Sequence, residues 1–75
     1  MSSAESPIGA RGRVTSTGAI RPGRTGEVMV AIRGGVEAFM ARDVDGGAIA
    51  PYTEIVVIDY EPPRVVIVST LPEET

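Results

Sequence analysis

The sequence predicts an all-β domain, a small barrel or sandwich. β-branched residues dominate the middle of the chain, glycine or proline recurs every few residues, and no stretch sustains helical spacing. Valine, isoleucine and threonine suit a pleated, half-buried surface, and the turn residues cut the chain into strand-length pieces. Its 75 residues make one domain. A chain this short buries only about 60–65% of the surface that its unfolded form exposes, so the core is thin.

Five strands are expected. The first spans 10–20: Ala10, Gly12, Val14 and Ser16 alternate with Arg11, Arg13, Thr15 and Thr17, the pattern of a half-buried strand. Gly18 is expected at a bulge that bends it. Residues 21–26, Arg-Pro-Gly-Arg-Thr-Gly, form a turn, because proline fixes φ and glycine supplies positive φ. The second strand spans 27–33, with Val28, Val30 and Ile32 on its core face. Gly34-Gly35 follows as a two-residue hairpin loop.

The third strand spans 36–43. Its inward face is either Val36, Ala38 and Met40 or Phe39 and Ala41. Residues 43–47, Asp-Val-Asp-Gly-Gly, break it. The connection 48–52 contains Pro51 and has room for one helical turn, too short for a stable helix. The fourth and fifth strands span 53–60 and 64–70, joined by Glu61-Pro62-Pro63. Residues 1–7 and 72–75 are expected to be a disordered polar tail and a frayed acidic tail flanking a domain over 8–71.

Both faces of the last two strands are apolar. Ile55 and Val57 oppose Val56 and Ile58, and Val66 and Val68 oppose Val65 and Ile67. Either barrel closure and the termini bury both sides, or one face stays open to meet a partner or a second copy.

Composition narrows the function. The chain has no histidine, cysteine or lysine, which removes the usual general base, thiol nucleophile, zinc ligands, Schiff-base amine and phosphate-gripping lysine. No cofactor and no enzymatic activity are expected. Net charge is −3, and all seven cations are arginines. That balance disfavours general nucleic-acid binding, which depends on excess positive charge. The longest aliphatic runs, 55–58 and 65–68, hold four residues each. A bilayer-spanning helix needs about 20, so direct membrane insertion by this chain is not expected. Residues 1–7 lack the apolar stretch of a signal peptide.

Other candidate chemistry is weaker than its plain structural reading. Asp43, Asp45 and Glu54 fall at the first, third and twelfth positions of a calcium loop, but Ala48 stands at the sixth position, which needs glycine. A solvated turn explains the aspartates better. Asp59 and Glu61 read as solvent-facing charges at a strand end. Ser2, Ser3, Ser6, Thr15, Ser16 and Thr17 have no histidine or lysine to activate them. No phosphate loop can form without a Gly-Lys-Ser/Thr helix start.

The order of the elements resembles the C-terminal OB-fold domain of the NfeD family. Gly9-Ala10-Arg11-Gly12-Arg13-Val14 looks like its opening strand. Ile20-Arg21-Pro22 with Gly26-Glu27-Val28 looks like its turn and second strand. Phe39-Met40-Ala41 resembles the aromatic-x-Ala of its third strand. Ile49, with Thr53-Glu54-Ile55-Val56-Val57, resembles the lead into its fourth, and Val65 to Val68 its last. Pro51-Tyr52 stands where the family often has a glycine. The resemblance implies a five-stranded OB-type barrel, normally attached to membrane helices. It also implies a cytoplasmic place beside stomatin- or flotillin-like membrane scaffold proteins. The expected role is a protein-interaction domain, and single-stranded nucleic-acid binding and self-assembly are the two alternatives. The expected contact patch is Phe39 with Met29, Val56 and Ile58, rimmed by Arg21 and Arg24.

Overall fold

The structure, a computed structural model, describes residues 6–72. Strands β1 (Arg11–Val14), β2 (Gly26–Ile32), β3 (Gly35–Asp43), β4 (Glu54–Glu61) and β5 (Val65–Thr70) close into a barrel in the order β1-β2-β3-β5-β4. β4 returns to β1, pairing Ile55 with Gly12. β3 and β5 run parallel, through 40–43 and 65–68, and the other neighbours are antiparallel. This is the five-stranded OB-type barrel. The expected tails over 1–5 and 73–75 lie outside the described residues.

Alternation along the strands builds the core. Val14, Val28, Val30, Phe39, Ala41, Ile55, Val57, Val66 and Val68 point inward and are buried. Each of these side chains except the smaller Ala41 contributes about 1.5–3 kcal/mol when fully removed from water. Ile20 and Ile49, from the two long connections, exchange reciprocal backbone hydrogen bonds of 2.9 Å and close one end of the barrel. On β3 the inward face is Phe39 and Ala41, while Val36 and Met40 are exposed.

Several expectations need correction. The first strand ends at Val14, not near 20. Ser16 is exposed in a turn closed by the Gly18 N–H donating to the Thr15 carbonyl at 3.2 Å. Gly18 marks no bulge. It is buried, and its carbonyl accepts the Glu27 N–H at 2.9 Å. The register shift lies at Ile58, between Val57 and Asp59, where the extra residue bends β4 around the barrel. The hairpin loop is Arg33-Gly34, one residue earlier than expected, with φ of 54° and 77°. A type I′ turn needs positive φ at both central positions, and Ile32 pairs with Gly35 across it. Pro7 is fully buried and belongs to the barrel. The connection 44–53 forms no helix. The Asp43 carboxylate accepts the Gly47 N–H at 2.9 Å, which explains the sharp exit from β3.

The outer faces of β4 and β5 are only partly covered. Val56, Val65 and Ile67 are half-buried and Ile58 is 41% exposed. Burial on both sides therefore does not hold.

Candidate partner-binding surface

Structure scatters the expected patch. Phe39 is 5% exposed, in the core. Its ring packs edge-on against Tyr60, with centroids 6.2 Å apart, and the Arg64 guanidinium lies 4.8 Å from its centroid. The same guanidinium donates to the Ala38 carbonyl. Phe39 is thus a core residue, not an exposed anchor. A depression of about 400 Å³ above it, bordered by Thr25, Glu27, Met40 and Arg64, lies where OB folds take ligands on β2 and β3.

Met29 and Val56 stand on the outer face, on either side of β1, opposite Arg13 and Arg11 respectively. Arg21 and Arg24 are exposed in the loop at the Ile20–Ile49 end, where the Arg24 N–H donates to the Arg21 carbonyl at 3.0 Å. Ile58 is near the other end of the barrel, next to Val57, which pairs with the Gly9 and Ala10 backbone. No single patch holds all six.

What the barrel does bring together is a groove that sequence reasoning missed. It has a volume of about 930 Å³, and Arg11, Arg13, Pro51, Tyr52, Leu71 and Pro72 line it with Thr53 and Glu54. Arg11 and Arg13 share the outer face of β1, as their alternation requires. Arg13 pairs with Glu54 on β4 at 2.9 Å. The Arg11 side chain makes no hydrogen bond or ion pair among the described residues. Leu71 is held by its N–H donating to the Glu54 carbonyl at 3.1 Å. A second depression of about 330 Å³ shares Arg11, Arg13, Glu54 and Leu71 and runs on to Met29, Ala31 and Val36.

Tyr52 forms the groove's far wall by an unusual turn. Pro51 and Tyr52 are the central residues of a tight turn in which the Thr53 N–H donates to the Ala50 carbonyl at 3.4 Å. Tyr52 has φ of 69°. Proline followed by positive φ is the type II arrangement, which favours glycine at the second place. The Tyr52 N–H donates to the Val14 carbonyl at 2.8 Å, and the Val14 N–H donates to the Thr53 carbonyl at 3.0 Å. These bonds hold the turn against the end of β1 and leave Tyr52 64% exposed. A tyrosine in this conformation costs about 1–2 kcal/mol. Tyr52→Gly is therefore expected to stabilise the fold by about 1 kcal/mol, read as a higher urea midpoint with unchanged slope. A lowered midpoint would mean that the exposed ring makes stabilising contacts outweighing the strain.

Several of the remaining candidates are engaged in structure. Asp59 accepts the Tyr60 N–H at 2.8 Å, and Glu61 pairs with Arg42 at 3.1 Å. Thr15 Oγ1 donates to Glu27 at 3.0 Å, and Ser6 Oγ accepts the Ile8 N–H at 3.2 Å. Ser2 and Ser3 lie outside the described residues. Among the described residues no three metal-ligating side chains cluster, and no helix is long and apolar enough to cross a membrane.

Closure in this strand order, around a single valine-rich core and with an open groove on the flank, defines the class: a small OB-type barrel domain. The NfeD C-terminal domain family matches residues 11–69, and the chain belongs to it. No curated protein matches the sequence. Among solved structures, the chain is similar to the soluble domain of the NfeD protein YuaF from Bacillus subtilis. Identity there is 27% and the TM-score 0.70, over 83% of this chain and 70% of that one. It is also similar to the C-terminal domain of stomatin operon partner protein 1510-C from Pyrococcus horikoshii. That match has 26% identity and a TM-score of 0.72, over 97% of this chain and all of the other.

Proposed function

We propose that this chain is a non-enzymatic protein-interaction domain. It docks on a stomatin- or flotillin-like membrane scaffold protein at the cytoplasmic side of a membrane. One observation carries the reading: an uncovered apolar strip on the outer face of β2 and β3. There Met29 sits opposite Ala38 and Ala31 opposite Val36, with Met40 next on β3. Met29, Val36 and Met40 are 37%, 62% and 48% exposed. Apolar strips of this kind on a small soluble domain suit protein contact. Membership of a family with a similar structure named as a stomatin operon partner supports the choice of partner.

Met29 belongs to the strip itself. Val56 and Ile58 extend the contact around β4, Arg21 and Arg24 meet acidic groups of the partner at the loop end, and Phe39 supports the surface from beneath. The test uses the chain and a detergent-solubilised stomatin-like protein from the same source. Met29→Asp is expected to weaken binding about tenfold with the β-sheet circular dichroism unchanged, as for loss of a buried interface contact. Absence of binding by the unmodified chain to any stomatin- or flotillin-like protein would end the reading. Binding to single-stranded oligonucleotide that falls steeply with salt would replace it with nucleic-acid recognition.

A further inference from the structure

We infer that the groove between Tyr52 and Arg11 is a subsite for an extended acidic peptide. The peptide would place one carboxylate on Arg11, with a proline or aliphatic residue against Tyr52 and Pro51. This rests on the protein-interaction reading and specifies the chemistry that the partner presents.

Charge is the first argument. Arg13 is matched by Glu54 across the β1–β4 seam, so among the described residues the groove keeps one uncompensated cation, Arg11, in a chain whose net charge is −3. A guanidinium presents a planar fork that fits a carboxylate with two parallel hydrogen bonds. A single cation beside a carboxylate suits one acidic side chain. It does not suit a polyanion such as a nucleic acid, which needs several cations in a row.

Shape is the second argument. Tyr52, Pro51, Leu71 and Pro72 give the groove rigid apolar walls. Aromatic and proline walls of this kind hold extended peptides, because neither the ring nor the peptide backbone loses much freedom on contact. Tyr52 is the third. Its left-handed backbone is held by hydrogen bonds to both sides of Val14 and leaves the ring in solvent. Strain of this sort persists where it serves a site. The walls also continue past Leu71 to Met29, Ala31 and Val36, the strip already proposed as the contact face. A peptide leaving the groove would pass directly onto it.

The experiment is an NMR titration of the isotope-labelled chain with the peptide Ac-Gly-Pro-Leu-Glu-Val-Pro-Gly-NH2. Amide shifts are expected to cluster at Arg11, Tyr52, Thr53 and Leu71. Arg11→Gln should weaken binding about tenfold, as should replacing the peptide glutamate by glutamine, in line with the loss of a charge-assisted hydrogen bond. The two changes together should cost no more than either alone, since they remove the same contact. Tyr52→Gly should weaken binding without lowering thermal stability.

Several results would overturn the subsite. One is shifts elsewhere on the barrel, or equal binding of the glutamine peptide. A second is displacement of the peptide by oligo-thymidine. A third is a sedimentation mass of two chains with the groove buried between them. The fourth is movement of the Arg11 amide on changing Glu73 and Glu74 to glutamine with no peptide present, which would make the chain's own end the occupant. The stomatin-like protein is run alongside. If it binds the unmodified chain and both groove variants equally, the subsite fails and the interaction reading stands. If the peptide binds as described and no scaffold protein does, the choice of scaffold fails and the subsite stands.

Discussion

Gly26→Ala is expected to cost the domain about 3 kcal/mol or more, read as a large drop in its urea midpoint. A β-carbon at this position would lie 2.7 Å from the Ala19 carbonyl oxygen and 2.8 Å from Ile20 Cγ1, and closer still to the Gly18 carbonyl. Two of these three are backbone atoms, and Ile20 is pinned by its reciprocal bonds to Ile49. None can move without dragging the loop off the barrel end. Overpacking of a well-filled interior costs about 1–3 kcal/mol even where side chains can yield, so here the cost is about 3 kcal/mol or more. Small domains have only about 5–15 kcal/mol in total, and one with so thin a core sits at the low end. Gly35→Ala is the control: nothing lies within 4 Å of its β-carbon position and its φ is not left-handed. That change is expected to move stability by less than about 0.5 kcal/mol. Urea midpoints for the two variants check the pair. Equal midpoints would mean that the first loop can lift away from β2 at little cost.

Phe39→Asp is the second large effect, and it is a loss of fold, not of a surface contact. Removing a buried phenylalanine ring costs about 3–5 kcal/mol. The edge-on contact with Tyr60 adds about 0.5–1.5 kcal/mol. A carboxylate here would be desolvated beside the core valines, and pairing with the nearby Arg64 guanidinium would draw that group from its bond to the Ala38 carbonyl, so the charge adds to the cost of the lost ring. Phe39→Asp should therefore show an unfolded circular dichroism spectrum and collapsed amide dispersion. Phe39→Leu should stay folded with a lowered midpoint. A folded Phe39→Asp chain that had lost only partner binding would return Phe39 to the contact surface. The distinction matters in practice, since such a variant is no control for a binding experiment.

Strand periodicity made much of the barrel legible in the sequence. Val28 and Val30 alternate with Glu27 and Met29, and one face of that strand can only be the core. Turn chemistry did the same for the breaks at Asp43 and Pro62, and placed the hairpin loop within one residue. The third strand was different. Both its faces carry apolar residues, so period two alone offered Val36, Ala38 and Met40 as readily as Phe39 and Ala41. The pairing of Phe39 with Val28 decided it, because β2 has one apolar face and β3 must share it. From residue type alone, Gly26 falls in the turn over 21–26. Gly26 begins a strand and is needed for close approach, which depends on where the other loop passes.

By itself, the sequence determined the class of this protein, the number of its strands, the absence of thiol, imidazole and amine chemistry, and its family. Those follow from local spacing and from residue types, which need no partner in space to be read. Only the tertiary structure decided which faces meet, that Phe39 lies inside, and that a groove exists at all. The groove takes Arg11 from the first strand, Tyr52 from the turn before the fourth, and Leu71 from beyond the fifth. Residues that far apart along the chain become neighbours only when β4 closes onto β1, and closure is a property of the whole sheet and not of any segment within it.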